Sequence, residues 1–193
     1  MTTPAALAPD STVSAPLQKA VLGGGCFWCL EAVYNEVVGV HAVQSGYAGG
    51  TVAAPDYEAV CSGSTGHAEV VRVQFDPAVI DYRGILEIFF VIHDPSTLDR
   101  QGYDVGTQYR SVIFADEAQQ EVARALVEEL TRDQVFDAPI VTRIEPPTQF
   151  WPAELAHERY YERHPGARYC ALVIAPKLEK FRQRFAARRK PAG

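Results

Sequence analysis

The apolar positions along the chain fall into segments of two different periods. Ala20, Val21 and Leu22 form a short apolar run ending in Gly23, Gly24 and Gly25, after which Phe27, Leu30, Tyr34 and Val37 recur at helical spacing. That pattern predicts a strand, a glycine turn and a helix that stops near Gly39. Residues 40–47 alternate loosely as a strand up to the break at Gly49 and Gly50, and residues 51–66 are turn-rich and expected to be irregular. From Ala68 to Phe75 the residues Val71, Val73 and Phe75 alternate with Arg72 and Gln74, the period of a strand with one buried face. Asp81 is placed to cap a helix carrying Tyr82, Ile85, Leu86, Phe89 and His93 on one stripe, ended by Asp94 and Pro95. After a long loop to Gln108, a strand is predicted at 109–115. Asp116 with Gln119 then resembles a capping box for a helix whose Val122, Leu126 and Leu130 face inward. A strand at 139–144, a short helix at 153–161, a turn at Pro165 and Gly166 and an apolar run at 170–175 complete the pattern.

Strands separated by helices predict an α+β domain, a two-layer sandwich of helices packed on a mixed sheet, with irregular extensions. A chain of 193 residues, 47% of them hydrophobic, can bury one substantial core, so a single domain is expected over 18–186. A disordered N-terminal tail, 1–17, rich in Ala, Pro, Thr and Ser, precedes it, and a basic tail, 187–193, follows. The first stretch has neither the basic start nor the apolar run of a secretory signal, and no segment reaches the roughly 18 apolar residues of a membrane span. The expected setting is therefore cytoplasmic, without membrane association. A net charge of −6 argues against general affinity for nucleic acid. Lys180, Arg182, Arg184, Arg188, Arg189 and Lys190 make the C-terminal end locally basic, which reads as a solvated tail.

Four cysteines are too few for a disulfide scaffold in a chain of this size, and they are expected to be thiols at rest. Cys26 follows three glycines and opens a helix, where unsatisfied N–H groups and the helix dipole favour a nucleophilic thiolate. A cysteine at a helix start serves structure as often as reaction, so its neighbours carry the argument. Phe27 and Trp28 are either core residues or a cage for an apolar group, with at least one expected near the mouth of a site. Glu69 has the parity of Val71, Val73 and Phe75. On a regular strand its carboxyl would point into the apolar face, and burial would keep it protonated and able to act as a general acid; the alternative is a strand end that turns outward.

Several runs then occur in order: Gly24-Gly25-Cys26-Phe27-Trp28, Ser45-Gly46-Tyr47-Ala48-Gly49-Gly50, Tyr57-Glu58-Ala59-Val60-Cys61-Ser62-Gly63, Gly66-His67-Ala68-Glu69 and Gly106-Thr107-Gln108-Tyr109-Arg110-Ser111. Together with His93-Asp94-Pro95 and the 150–157 stretch, they resemble the A-type peptide methionine sulfoxide reductases over roughly residues 20–185. The resemblance implies a ferredoxin-like core and a protein-repair role in oxidative stress. It implies reduction of methionine S-sulfoxide, free or within proteins, by a monomer that needs no metal or organic cofactor. The substrate methyl would sit against Phe27 and Trp28. Tyr57, Glu69 and Tyr109 would hold its oxygen, with Asp104 helping through a water. Cys26 would attack the sulfur and become a sulfenic acid, a second cysteine would form a disulfide with it, and thioredoxin or a similar dithiol would reduce that disulfide. One departure stands out: where the family often has Gly-Asn-Asp, this chain has Gly102-Tyr103-Asp104, which alters the rim of the site rather than its chemistry.

Cys170, in a Tyr169-Cys170 segment before Pro176-Lys177-Leu178, resembles the recycling cysteine of members with a C-terminal one and is the favoured resolver. Cys29, at C-x-x-C spacing from Cys26, is the other candidate, and the two could relay the disulfide outward. Cys61 reads as a structural thiol. The same C-x-x-C fits a thioredoxin-like dithiol, but only a short strand precedes it, without a βαβ unit. A zinc module from Cys26, Cys29, Cys61 and Cys170, with or without His67, lacks a second closely spaced ligand pair. The triple glycine has no Lys-Ser or Lys-Thr after it, as a phosphate loop would. His41, His157 and His164 have no convergent partners in the sequence, and His67 and His93 read as scaffold.

Overall fold

The computed structural model of the protein describes residues 16–191. Most of the expected N-terminal tail lies outside the described residues. The first apolar run forms β1 (Gln18–Gly23), and the helical stripe after the glycines forms α1 (Phe27–Asn35). Next come β2 (Val40–Ala48), the single-turn α2 (Tyr57–Cys61), β3 (Ala68–Phe75) and α3 (Tyr82–Ile92). Two short strands, β4 (Arg100–Gln101) and β5 (Asp104–Val105), make a separate hairpin. Then β6 (Val112–Phe114), α4 (Glu117–Arg132), β7 (Arg143–Glu145), β8 (Phe150–Pro152), α5 (Tyr160–Arg163) and α6 (Ala175–Arg184) follow.

The main sheet has the order β7-β6-β1-β3-β2-β8, antiparallel throughout except for the parallel β6–β7 pair. Its four middle strands, β6-β1-β3-β2, with α1 and α3 as the two crossovers, are the expected ferredoxin-like core. Strand parity divides the two faces. Val71, Val73 and Phe75 join Leu30, Val33, Ile85 and Phe89 under the helices, while Val70, Val112, Phe114 and Phe150 form a smaller cluster on the opposite face. Asp81 and Asp116 cap their helices as expected, accepting from the amides of Gly84 at 2.7 Å and Gln119 at 2.9 Å.

The differences from the predicted elements have physical causes. α1 ends at Asn35 rather than near Gly39, because the C-terminal segment captures the next backbone groups: Val38 N–H donates to Arg188 at 2.8 Å and Lys190 N–H to Glu36 at 2.7 Å. Through Lys190 the basic end is therefore held against α1, with Arg182 and Arg189 paired to Glu36 and Arg188 to Glu87. Within the stretch expected to be irregular, Asp56 caps α2 by accepting from Ala59 N–H at 2.8 Å. The strand predicted at 109–115 is reduced to β6 by a 3-10 turn at Thr107–Tyr109, and that at 139–144 to the three residues of β7. In place of one helix at 153–161 there are a 3-10 turn, Leu155–His157, and α5, preceded by the edge strand β8 on β2. The last apolar run opens as a π-helical turn, Cys170–Ile174, that leads into α6. Pro176 has no N–H to offer Leu172 in an α-helical register, so the backbone widens there.

Candidate active site

The glycine turn and the first turn of α1 set the depth of the site. Gly25 has φ +89°, a left-handed conformation that side chains rarely adopt, and a Cβ on Gly24 would come within 2.8 Å of the Phe89 ring. The close approach that these glycines permit is made by the protein itself, by Phe89, His93 and Gln101, rather than left open for a ligand. Cys26 is the N-cap of α1 and only 6% exposed.

Glu69, at 1% exposure, points inward as its parity predicts. Its Oε2 accepts the Phe27 N–H at 3.0 Å, an amide left free at the start of α1, and its carboxyl also reaches the Cys26 thiol. Burial raises the Glu69 pKa to about 8, against the lowering effect of the Phe27 amide. The carboxyl is therefore protonated at neutral pH.

Cys26 and Cys29 hydrogen-bond sulfur to sulfur. Burial, then this bond and the neighbouring charge of Glu69, push Cys26 well above the usual thiol range. The bond from Cys26 outweighs burial at Cys29 and, helped by Lys177, brings it down to about 7. The pair thus gives up one proton near neutrality and holds the second firmly, a shared thiolate rather than two independent ones. The helix start alone would favour a thiolate at Cys26, but burial is the larger effect there.

The other residues expected from the sequence converge on this pair. Asp104, on β5, accepts from the Tyr169 hydroxyl at 2.7 Å, and the same hydroxyl hydrogen-bonds Cys26, so Tyr169 links Asp104 to the sulfur. Tyr109, at the end of its 3-10 turn, lies close enough to feel the charges of Glu69, Cys61, Asp104 and Cys26. Tyr57 hydrogen-bonds the Cys61 side chain. The flanking motif residues tie these segments together: Gln108 Nε2 donates to Cys61 O at 3.1 Å and Arg110 Nη2 to Gly66 O at 3.1 Å. Cys170 is buried at the start of the π-helical turn and sits near enough to Cys29 for charge there to raise it further.

Phe27 is fully buried and Trp28 partly open, as expected of adjacent aromatics at a site mouth. Trp28 stacks on Tyr160 with ring centroids 3.7 Å apart and planes 7° from parallel, and its Nε1–H donates to His157 Nδ1 at 3.2 Å. His157 in turn lies 4.5 Å from the Tyr57 ring. Glu154 accepts from the Tyr57 N–H and the Tyr47 hydroxyl, both at 2.8 Å. Tyr160, Tyr169, Glu154 and His157 were missed in the sequence. His157 in particular, which has no convergent partner in the sequence, is an aromatic wall of the site, because the turn at Leu155–His157 folds back over α1. His67 and His93 are scaffold as expected: His67 accepts from Gly50 N–H at 3.0 Å and donates to Val52 O at 2.7 Å, while His93 bonds Ser111 Oγ at 2.8 Å.

Cys26, Glu69, Tyr57, Tyr109 and Asp104, which the family resemblance names, thus lie together beside Phe27 and Trp28. The model of the family described as peptide methionine sulfoxide reductase matches residues 18–189. The chain belongs to this family. A relative from Chromobacterium violaceum, the peptide methionine sulfoxide reductase MsrA, is 56% identical over 171 residues, which cover 88% of this chain and 97% of that protein. Among solved structures, Mxr1 from Saccharomyces cerevisiae in reduced form aligns with a TM-score of 0.71 and 33% identity, covering 80% of this chain and 90% of that one. The same yeast protein in complex with Trx2 aligns with a TM-score of 0.51 and 26% identity, covering 78% of this chain and 91% of that one. As a family member the protein is an oxidoreductase that reduces methionine sulfoxide with thiols.

Proposed function

We propose that the protein reduces methionine S-sulfoxide, free and within polypeptides, with Cys26 as nucleophile, Glu69 as proton donor and a thioredoxin-like dithiol as the final reductant. The observation that carries this reading is the Glu69 carboxyl, buried within reach of Cys26 and anchored by the Phe27 amide, where burial favours its protonated form. The substrate methyl packs against Phe27 and Trp28, and the oxygen meets Tyr57, Tyr109 and Glu69. The Cys26 thiolate attacks the sulfoxide sulfur, and Glu69 protonates the oxygen as charge develops on it. The S–O bond breaks, the oxygen ends on Cys26 as a sulfenic acid, and methionine leaves reduced by two electrons. Asp104 and Tyr169 keep the Cys26 sulfur oriented.

A second thiolate then attacks the sulfenic sulfur and expels the oxygen as water. Cys29 is the first to do so, supported by its bond to Cys26, and Cys170, whose neighbour is Cys29, takes over the disulfide. Exchange with the external dithiol returns three thiols, so each turnover converts one sulfoxide and one dithiol into methionine, a disulfide and water. A reducing compartment such as the cytoplasm suits a protein with four resting thiols.

The test is to mix fully reduced protein with excess racemic methionine sulfoxide, without added reductant, and to map the disulfides that form. The reading expects about two methionines per wild-type protein with the R epimer untouched, from a Cys29–Cys170 bond and a sulfenic acid on the freed Cys26, and about one in the Cys170→Ser variant, held as a Cys26–Cys29 bond. A wild-type Cys26–Cys170 bond that persists in Cys29→Ser would remove the relay and leave Cys170 as direct resolver. Retention of sulfoxide turnover in Cys26→Ser would overturn the reading altogether.

A further inference from the structure

Beside the catalytic sulfurs the surface carries a mostly apolar cavity of about 570 Å³, bounded by the β4–β5 turn on one side and the π-helical turn on the other. Tyr103, at the tip of the first wall, is 96% exposed, and Leu172, on the second, is 69% exposed. Arg168 and Lys177 also line it. Two of its lining residues, Asp104 and Tyr169, also belong to the site, since the Tyr169 hydroxyl spans Asp104 and Cys26. The cavity thus adjoins the site, with Asp104 and Tyr169 between it and the Cys26 sulfur.

That adjacency limits what can occupy it. Cys26 is almost wholly buried, so a methionine sulfoxide within a polypeptide must reach down to it as a side chain while its backbone crosses the rim. A neighbouring residue then passes over the wall formed by Asp104 and Tyr169 and faces Tyr103 and Leu172. Exposed aromatic and aliphatic side chains on opposite walls of a cavity have apolar area to bury, and none of the described residues covers it.

We propose that this cavity is a subsite for the residue next to methionine sulfoxide in an extended polypeptide, and that it selects an apolar side chain there. Tyr103, which stands where the family often has asparagine, supplies one wall of the subsite and Leu172 the other. Arg168 and Lys177 make a basic neighbour unfavourable and an acidic residue beyond the apolar one acceptable. The proposal rests on the reading of Cys26 as the reacting sulfur.

The experiment uses the full chain with dithiothreitol as reductant. It compares N-acetyl-methionine sulfoxide amide with pentapeptides that place leucine, serine or lysine before or after the sulfoxide. In the wild type one leucine-flanked peptide is expected to have a KM about tenfold below its serine counterpart, with kcat nearly equal and the lysine peptide poorest. In Tyr103→Asn and in Leu172→Ser that preference shrinks to about twofold, while kcat and KM for the small amide stay unchanged. Undiminished preference in both variants overturns the subsite. So does an equal loss on amide and peptides, which would mean that these residues support the fold of the site. Unchanged peptide kinetics with dithiothreitol, together with slower recycling of the variants in a parallel assay with thioredoxin, would overturn the subsite and assign the cavity to the reductant. Inactivity of the wild type on the small amide would count against the Cys26 reading itself.

Discussion

Glu31 accepts the backbone N–H of Arg159 at 3.1 Å, tying α1 to the residue that opens α5. Arg159 has φ +51°, a left-handed conformation that a residue with a side chain keeps only when its surroundings hold it. The next residue is Tyr160, whose ring covers Trp28. Glu31 is therefore a positioning residue for the aromatic wall. Glu31→Ala is expected to cost about 1–3 kcal/mol of stability in urea unfolding and to raise KM for sulfoxide several-fold with kcat little changed. Glu31→Gln, which keeps an acceptor oxygen, should restore most of the KM. A fall in kcat at constant KM would remove the positioning role.

The proton inventory predicts a narrow pH optimum. Reaction needs one thiolate on the Cys26–Cys29 pair, which forms as pH rises through about 7, and a protonated Glu69, which is lost as pH rises through about 8. The single-turnover rate of methionine formation should rise and then fall across that interval. Glu69→Gln should lower the rate by roughly a hundredfold or more and abolish the falling limb. A falling limb that survives in this variant would assign it to another group.

The same groups tie stability to pH, with opposite signs. Burial raises Glu69 from 4.5 to about 8, so the folded state binds more protons than the unfolded state within that interval. The stabilisation it brings is whole below pH 4.5 and is lost as pH climbs to about 8. His93 runs the other way: burial lowers it from 6.5 to about 3, so it opposes folding increasingly as pH falls through that range. Urea unfolding of the wild type against Glu69→Gln should show a difference that shrinks from pH 5 to pH 8, in the window set by the shift at Glu69. The wild type should lose stability relative to His93→Gln on acidification below pH 6, in the window set by His93.

Gly24 and Gly25 offer a steric test. A methyl at Gly24 would meet the Phe89 and His93 rings at 2.8 and 3.1 Å, and one at Gly25 would meet Gln101 at 2.6 Å on a left-handed backbone. Gly24→Ala, pressed against packed rings, is expected to cost about 1–3 kcal/mol. Gln101 is a flexible side chain, so the cost of Gly25→Ala should come mainly from its backbone. Gly25→Asn, a residue that tolerates positive φ, should be milder than Gly25→Ala by thermal unfolding.

What the sequence determined by itself was set by local periodicity and short-range chemistry. The period-2 run at β3 gave Glu69 the parity of the buried face, with an outward-turning strand end as the alternative that the fold removed, and the glycine turn before Phe27 put Cys26 at a helix start. Asp81 and Asp116 announced their caps because capping is settled within one turn. The ordered motifs carried the family. Only the tertiary structure decided the rest, because those contacts join residues far apart in the chain. Trp28 and Tyr160 stack across more than a hundred residues, and Tyr169 meets Asp104 across 65. β8 is a strand because β2 offers it a free edge, and α1 stops early because residues 188–190 take its backbone partners. The balance of charge on the two sulfurs was likewise beyond local reading. The thiol one turn away is legible as the C-x-x-C spacing, but burial and Lys177 on a distant helix also set the balance, and neither is encoded by the residues immediately around Cys26.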